Sequence, residues 1–180
     1  MTAGRQLIVM SGFPASGKST LARALADHFG FALISKDDLL DVMYRAVGGG
    51  PDDPALSLRT GQAAWAAFWH LSRSCPRAVL DSNIKPAGDF ERVRIAEIDG
   101  LIVEVHCRCP LEIAQARYIE RAKLYRPAQR AKVLDTSLAG HYGMPIGCGR
   151  LVVIDTSGPV DVGAVARQVA EEFDRAQEVD

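Results

Sequence analysis

The 180-residue sequence contains no long apolar run and no strong excess of charge of either sign. No stretch approaches the roughly 18 apolar residues that a membrane-spanning helix needs. A formal net charge of −1 and a pI near 6.4 offer no general attraction to nucleic acid or to an anionic membrane. No basic segment followed by an apolar one opens the chain, so we expect no signal peptide and a cytoplasmic location. These absences predict neither a nucleic-acid nor a membrane partner, and they leave the oligomeric state open.

Cysteine is also scarce, with four residues at irregular spacing. His106, Cys107 and Cys109 form the run HCRC, but no second pair of ligands follows at zinc-finger spacing. Cys107 lies in an apolar segment that is typical of a buried strand. We therefore favour the reduced thiols of a cytosolic protein over a metal site, and the same holds for Cys75 and Cys148.

Five short apolar segments alternate with segments of helical periodicity. Alternation of this kind predicts a parallel sheet covered by helices on both faces. The predicted strands cover 7–10, 31–34, 78–81, 101–107 and 151–155. The predicted helices cover about 18–29, 37–45, 57–73, 86–99, a stretch that starts at Pro110, 117–141, and a closing segment marked by Val162, Val165, Val169 and Phe173. We expect one α/β domain over 1–180, with a mobile loop at 48–54.

The run GFPASGKS, at positions 12–19, matches the phosphate-binding pattern G-x-x-x-x-G-K-[ST]. A strand precedes it and a helix follows, which is the context that this pattern requires. Gly12 and Gly17 allow the tight turn in which backbone N–H groups at the start of a helix face an anion. Lys18 would hold the β- and γ-phosphates, and the Ser19 hydroxyl would bind Mg²⁺. The predicted cofactors are ATP and Mg²⁺, and the predicted nucleotide-binding residues are Gly12, Ala15, Ser16, Gly17, Lys18, Ser19 and Thr20.

Other classes of nucleotide-binding protein fit the sequence less well. A switch GTPase needs the guanine-reading run N-K-x-D, and the nearest run, NIKP at 83–86, has no such Asp. A motor or an AAA-type ATPase is usually larger and has a strand that ends in consecutive acidic residues. The remaining layout is that of a small kinase.

Carboxylates follow the second and third predicted strands, at the sheet edge where open α/β folds bind ligands. Phosphoryl transfer to a hydroxyl benefits from a carboxylate that takes the proton. We expect Asp37 to be this base and Asp38 to interact with the helix dipole; the alternative is that one of them only caps the helix. Asp81, in the run VLDSN, is predicted to hold Mg²⁺ or its water, or else to begin a turn.

A basic run occupies 117–132, with six cations against one Glu. Arg117 and Arg121 are four residues apart and share a helix face, where they could clamp the transferring phosphates as a lid. A solvated basic face is the alternative interpretation.

Taken in order, the runs GFPASGKST, SKDD and VLDSN and an R-x-x-x-R after a fourth strand resemble a group of ATP-dependent P-loop kinases. The group includes polynucleotide 5′-kinase, chloramphenicol phosphotransferase, zeta-type toxins and gluconate kinase. The resemblance spans nearly the whole chain and implies an adenylate-kinase-like strand order of 2-3-1-4-5. It also implies a general base at Asp37, lid arginines at Arg117 and Arg121, and adenine near the loop at 155–161. Leu40 stands where the polynucleotide kinases have an Arg, so we expect no nucleic-acid 5′ end as acceptor.

The family layout places the acceptor between the helices at 37–45 and 57–73. Trp65 and Trp69, the two tryptophans of the chain, share a helix face. They form a platform for a sugar or an aromatic ring, unless they only pack the helix on the sheet. Tyr44, Arg45 and the loop at 48–54 would form a mobile wall.

These features predict an ATP-dependent kinase that transfers the γ-phosphoryl group to a hydroxyl of a small molecule, such as an antibiotic, a sugar or a nucleoside-like compound. The predicted catalytic residues are Asp37, Lys18, Arg117 and Arg121; the metal ligands are Ser19 and Asp81; and the acceptor residues are Asp37, Tyr44, Arg45, Trp65 and Trp69. Two alternatives remain, a zeta-toxin-like nucleotide-sugar kinase and a non-catalytic ATP-binding regulatory module.

Overall fold

Five strands form one sheet in the computed structural model, which describes residues 4–49, 53–85, 89–122 and 142–177. The strands are β1 (Gln6–Gly12), β2 (Ala32–Ser35), β3 (Arg77–Asp81), β4 (Leu101–Arg108) and β5 (Arg150–Asp155). Their order across the sheet is β2-β3-β1-β4-β5, and every neighbouring pair is parallel. The predicted α/β class and strand order are confirmed.

Six helices lie in the described residues. They are α1 (Lys18–Phe29), α2 (Lys36–Ala46), α3 (Pro54–Ser74), α4 (Asp89–Ala96), α5 (Leu111–Ala122) and α6 (Val162–Gln177). Arg117 therefore belongs to the helix that follows Pro110. The rest of the predicted helix at 117–141, the first residues of the one at 86–99 and the middle of the loop at 48–54 lie outside the described residues.

The alternation of side chains along β1 divides the core between the two faces of the sheet. Ile8 and Met10 pack with residues of α1 and α6 in one buried cluster. Leu7 and Val9 pack on the other face with residues of α3 and α4. A strand buried on both faces needs a continuous apolar run, which explains the sequence LIVM.

Two helices begin earlier than their apolar periodicity predicts because a polar residue caps each one. The Ser35 hydroxyl accepts a hydrogen bond from the Asp38 N–H (3.3 Å), so α2 begins at Lys36. Asp53 accepts one from the Leu56 N–H (2.9 Å), and Pro54 opens α3. The alternative that Asp37 or Asp38 caps α2 is wrong, because Ser35 fills that position.

None of the helices in the described part of the chain is long and apolar enough to cross a membrane. The four cysteines are free thiols. Burial in β4 raises the pKa of Cys107 to about 12, so this thiol stays protonated at neutral pH.

Candidate active site

The phosphate-binding run forms the turn between β1 and α1. Gly12 has a φ of 126°, and a Cβ at this position would lie 2.4 Å from the Cys107 carbonyl oxygen of β4. Gly17, with a φ of 100°, precedes α1, and no side chain caps the N-terminus of the helix. The first N–H groups of α1 are therefore available to an anion. Ala15 holds a left-handed φ of 65°, an uncommon conformation for a residue with a Cβ that marks a strained turn.

Lys18 is buried beneath this turn, with only 5% of its surface exposed. Its Nζ donates to the carbonyl oxygens of Gly12 and Phe13, each at 2.9 Å. Burial lowers the pKa of Lys18 to about 8, against an opposing effect of the Asp81 carboxylate. The phosphates of a bound nucleotide would add negative charge beside the buried ammonium and so stabilise its charged form.

A cavity of about 420 Å³, called here the nucleotide cavity, opens at the carboxyl edge of the sheet. It brings together most of the residues predicted for the donor site. The lining residues that were predicted from the sequence are Ala15, Gly17, Lys18, Ser19, Thr20, Asp37, Asp81, Arg117 and Arg121. Thr156, Gly158, Pro159, Val160 and Val162 also line it, in the region where the resemblance places adenine. Gly12 and Ser16 do not line this cavity but are buried in the turn below it.

Ser19 and Asp81 face each other across the floor of the nucleotide cavity. Burial raises the pKa of the Asp81 carboxyl above its ordinary value, while a hydrogen bond from the Ser19 hydroxyl and the charge of Lys18 oppose that rise. A hydroxyl and a carboxylate are hard oxygen donors of the type that Mg²⁺ prefers. Within the described ranges no cluster of three or more His, Cys, Asp or Glu could hold a metal. The donor set fits a Mg²⁺ ion that takes its remaining ligands from phosphate and water.

The two carboxylates at the start of α2 have different surroundings. Asp37 lines the nucleotide cavity, and its Oδ1 lies 3.4 Å from the Nζ of Lys36. Asp38 pairs with Arg23 of α1 at 3.0 Å. Of the two carboxylates, Asp37 is therefore the one that lines the cavity. Lys36 was not among the predicted site residues, although it stands within the run SKDD.

Arg117 and Arg121 both line the nucleotide cavity but make different contacts. Arg117 donates to the carbonyl oxygens of Thr156 (2.8 Å) and Ser157 (3.0 Å), and so ties α5 to the loop after β5. The guanidinium of Arg121 lies 5.7 Å from the ring centre of Tyr118. The other four cations of the predicted lid, Lys123, Arg126, Arg130 and Lys132, lie outside the described residues.

Of the predicted acceptor residues, Asp37 lines the nucleotide cavity, whereas Tyr44, Arg45, Trp65 and Trp69 are not among its lining residues. Tyr44 is only 1% exposed and packs against Leu40 and Ala64, so the prediction that it forms a mobile wall is wrong. Arg45, on the same helix, is exposed. Leu40 is buried as well, so this position offers a ligand nothing polar.

The two tryptophans line a second cavity, of about 460 Å³, between α3 and α4. Trp69 is buried against the sheet and Trp65 is half-buried, with their rings stacked at 5.7 Å. Core packing therefore accounts for much of Trp69, while Trp65 retains surface toward this cavity. We call it the tryptophan cavity.

Comparisons with known proteins give a family and a fold. The profile of a family described as AAA domain matches residues 7–177. The adenylyl-sulfate kinase of Shewanella halifaxensis (strain HAW-EB4) is 32% identical over 176 residues, which cover 93% of this chain and 80% of that protein. The adenylyl-sulfate kinase of Shewanella pealeana (strain ATCC 700345 / ANG-SQ1) is 31% identical with the same coverage. The family shares its name with the larger ATPases considered above, whereas these relatives are kinases.

Solved structures share the fold at lower identity. A candidate kinase from Chloroflexus aurantiacus superposes with a TM-score of 0.80 and 24% identity, over 97% of this chain and 99% of that one. A gluconokinase from Sinorhizobium meliloti 1021 gives a TM-score of 0.58 and 22% identity, over 97% and 94%. The Mycobacterium tuberculosis APS kinase, solved with AMPPNP and APS, gives 0.57 and 18%, over 96% and 99%.

Proposed function

The chain belongs to the AAA-domain family of the matching profile and is a P-loop kinase, an ATP-dependent phosphotransferase with a hydroxyl acceptor. On this premise we propose that it transfers the γ-phosphoryl group of ATP to a hydroxyl of a small, ring-bearing molecule of the antibiotic, sugar or nucleoside-like type. One observation carries the proposal: a single cavity contains Lys18, the Ser19–Asp81 pair and the carboxylate of Asp37.

The donor half of this site begins at the N-terminus of α1. Its N–H groups and the Lys18 ammonium bind the β- and γ-phosphates. The wall from Gly158 to Val162 is mainly apolar and suits a purine ring, which lies flat against such surfaces. Arg117 positions this wall through its two carbonyl contacts.

Ser19 and Asp81 are the residues that would hold Mg²⁺. When bound, the ion supplies positive charge at the β- and γ-phosphates as the transition state develops. Asp81 is buried, and its raised pKa shows that the nearby Ser19 and Lys18 do not fully offset the cost of burying its negative charge. A bound cation would stabilise that charge. Ser82 also lines this cavity, and its buried hydroxyl has no hydrogen-bond partner among the described residues.

Asp37 acts on the acceptor. The hydroxyl oxygen attacks Pγ, a new O–P bond forms, and the bond from Pγ to the β–γ bridging oxygen breaks, with its electron pair leaving on ADP. The hydroxyl proton passes to the Asp37 carboxylate. Lys18 and Arg121 stabilise the negative charge that spreads over the phosphoryl oxygens.

Asp37→Asn tests the assignment of the base. The amide cannot take the proton, so we expect kcat to fall by about 10²- to 10⁴-fold. ATP affinity, measured by calorimetry, should stay near the wild-type value because Asp37 does not hold the donor. Asp38→Asn is the matched control, since its carboxylate pairs with Arg23, and it should retain most of the activity. Equal turnover in the Asp37 variant and the wild type would contradict the assignment.

Adenylyl sulfate is a second candidate acceptor because the curated relatives are named for it. It is an anion, and an acceptor of that charge calls for cations on the acceptor side. Assaying it beside uncharged acceptors decides between the two. A non-catalytic regulatory module would instead bind ATP and turn over no acceptor.

A further inference from the structure

The tryptophan cavity has a lining that differs from that of the nucleotide cavity. Three aromatic rings contribute to it, those of Trp65 and Trp69 from α3 and that of Phe90 from α4. Phe90 is 61% exposed, a large fraction for an apolar ring of its size. Gln62 and Glu91 provide polar groups beside the rings. The volume, about 460 Å³, suits a small ligand with one or two rings.

The tryptophan cavity adjoins the catalytic carboxylate through one side chain. The Lys36 ammonium lies 3.4 Å from Asp37 Oδ1 and 5.8 Å from the centre of the Trp65 ring. Asp37 lines the nucleotide cavity and Trp65 lines the tryptophan cavity. Lys36 thus contacts both the carboxylate and the ring, so an acceptor that extends from Trp65 past this ammonium would bring a hydroxyl toward Asp37.

The charges around the tryptophan cavity are already matched within the protein. Arg73 and Arg94, the two cations of the lining, both lie near Glu97, at 3.7 Å and 3.5 Å. An anionic ligand would have to compete with Glu97 for them. The ring of Phe90 has the Arg94 guanidinium at 5.2 Å, and Trp65 has Lys36, so a cationic ligand would meet places that the protein's own cations occupy.

One donor in the wall is left without a partner. Trp69 is 4% exposed, and its indole Nε1 has no hydrogen-bond partner among the described residues. Buried indole N–H groups usually find an acceptor, and an unmet donor costs free energy. Since the Nε1 atom itself is buried, we assign the ligand contacts of this wall to the faces of the rings rather than to this donor.

From these contacts we propose that the tryptophan cavity is the acceptor subsite and that it selects uncharged, ring-bearing hydroxyl compounds over anionic ones. The proposal rests on the proposed function, since it names the acceptor of the same transfer. The acceptor would then lie between α3 and α4, not between α2 and α3 near Tyr44, where the family layout places it.

The two tryptophans make binding measurable without turnover, because no other tryptophan contributes to the emission. Three probes separate ring from charge: phenyl β-D-glucoside, phenyl β-D-glucuronide, which adds a carboxylate, and methyl β-D-glucoside, which lacks the phenyl ring. Titrations monitor tryptophan fluorescence with a non-hydrolysable ATP analogue present. We expect a saturable change with the phenyl glucoside and affinities at least about tenfold weaker for the other two.

Variants on the exposed surface of α3 locate the site with little risk to folding. Ala66 lines the cavity and Ala63 does not, although both are exposed on one helix. Ala66→Glu should weaken binding of the phenyl glucoside by about tenfold, whereas the matched Ala63→Glu should leave it unchanged. Trp65→Leu keeps Trp69 as the reporter and should also weaken binding. Equal binding of glucoside and glucuronide, no saturable change, or equal effects of the two Glu variants would overturn the proposal.

Turnover separates this proposal from the proposed function. For any acceptor that the wild type phosphorylates, Ala66→Glu should raise the acceptor KM by about tenfold and leave the ATP affinity unchanged. If the acceptor KM is the same in the wild type and in Ala66→Glu, the assignment of the cavity as acceptor subsite is wrong, whereas phosphoryl transfer itself is still supported. Saturable glucoside binding that exceeds glucuronide binding, with no ADP formed from any acceptor, would support the cavity's selectivity but contradict both the transfer and the acceptor role.

Discussion

Lys18 shows how one buried side chain couples nucleotide binding to protons. Its pKa is lowered to about 8 because burial disfavours the charged ammonium. Bound phosphates favour the charged form, so the pKa of Lys18 rises when ATP binds. Above the lowered pKa the free protein lacks this proton and the complex holds it; well below that value both states hold it.

We therefore expect ATP binding to take up close to one proton at a pH of about 9, and none through Lys18 at a pH of about 6.5. Calorimetry in two buffers of different ionisation enthalpy measures the uptake. Lys18→Arg is the control, because a guanidinium stays charged over this whole range and should abolish the pH-dependent uptake. Uptake that persists in the arginine variant would assign the proton to another group.

At the scale of elements, α5 presents two arginines to one cavity with separate tasks. Arg117 donates hydrogen bonds to carbonyl oxygens of the loop after β5, so it positions the wall proposed for adenine. Arg121 lines the cavity from one turn further along α5. The four-residue spacing that predicted a joint clamp therefore gives one arginine bound to loop carbonyls and a second that lines the cavity, for which we propose the contact with phosphate.

Arg117→Met should raise the Kd for ATP by about tenfold, because the loop loses charge-assisted hydrogen bonds. Arg121→Met should lower kcat by about 10²-fold with little change in that Kd, because its charge matters most in the transition state. Equilibrium titration with a non-hydrolysable ATP analogue and steady-state turnover give the two readouts. The same profile in both variants would refute the division of tasks.

The predictable features of α1, α2 and the strands are those with local causes. The apolar runs, the phosphate-binding turn and the carboxylates after β2 and β3 are each contained in a few consecutive residues, and parallel strands bring their carboxyl ends together. Tyr44 and the tryptophan cavity were not predictable in this way, because they depend on how α3 packs against α2 and α4. A tyrosine at helical spacing has the same sequence signature whether it is buried or exposed.

At the scale of the whole molecule, a buried carboxyl group joins the central sheet to the segment that leads into β5. Glu104, in the middle of β4, is fully buried. It accepts a hydrogen bond from the Ser11 hydroxyl of β1 at 2.5 Å, and from the N–H groups of Ile146 (2.6 Å) and Gly147 (2.8 Å). A Glu within the apolar run LIVEVHC signals a polar contact, but its partners, which are 42, 43 and 93 residues away along the chain, follow only from the fold.

Glu104→Gln should lower the free energy of unfolding by about 1–3 kcal/mol, because the amide would turn a donor toward groups that donate. Glu97→Gln is the control: its carboxylate is half-exposed and pairs with the surface arginines Arg73 and Arg94, so the substitution should cost about 1 kcal/mol or less. Urea denaturation monitored by circular dichroism gives both values. Equal losses would mean that Glu104 is not the structural link we describe.

The most direct test of the whole account measures ADP formation by the wild type with MgATP across a set of hydroxylated antibiotics, sugars and nucleosides, with mass spectrometry of each acceptor. We expect at least one uncharged, ring-bearing acceptor to stimulate ADP formation and to gain one phosphoryl group on a hydroxyl, and we expect Asp37→Asn to abolish both signals. ATP binding without phosphorylation of any acceptor, or transfer that survives the loss of the Asp37 carboxylate, would contradict it.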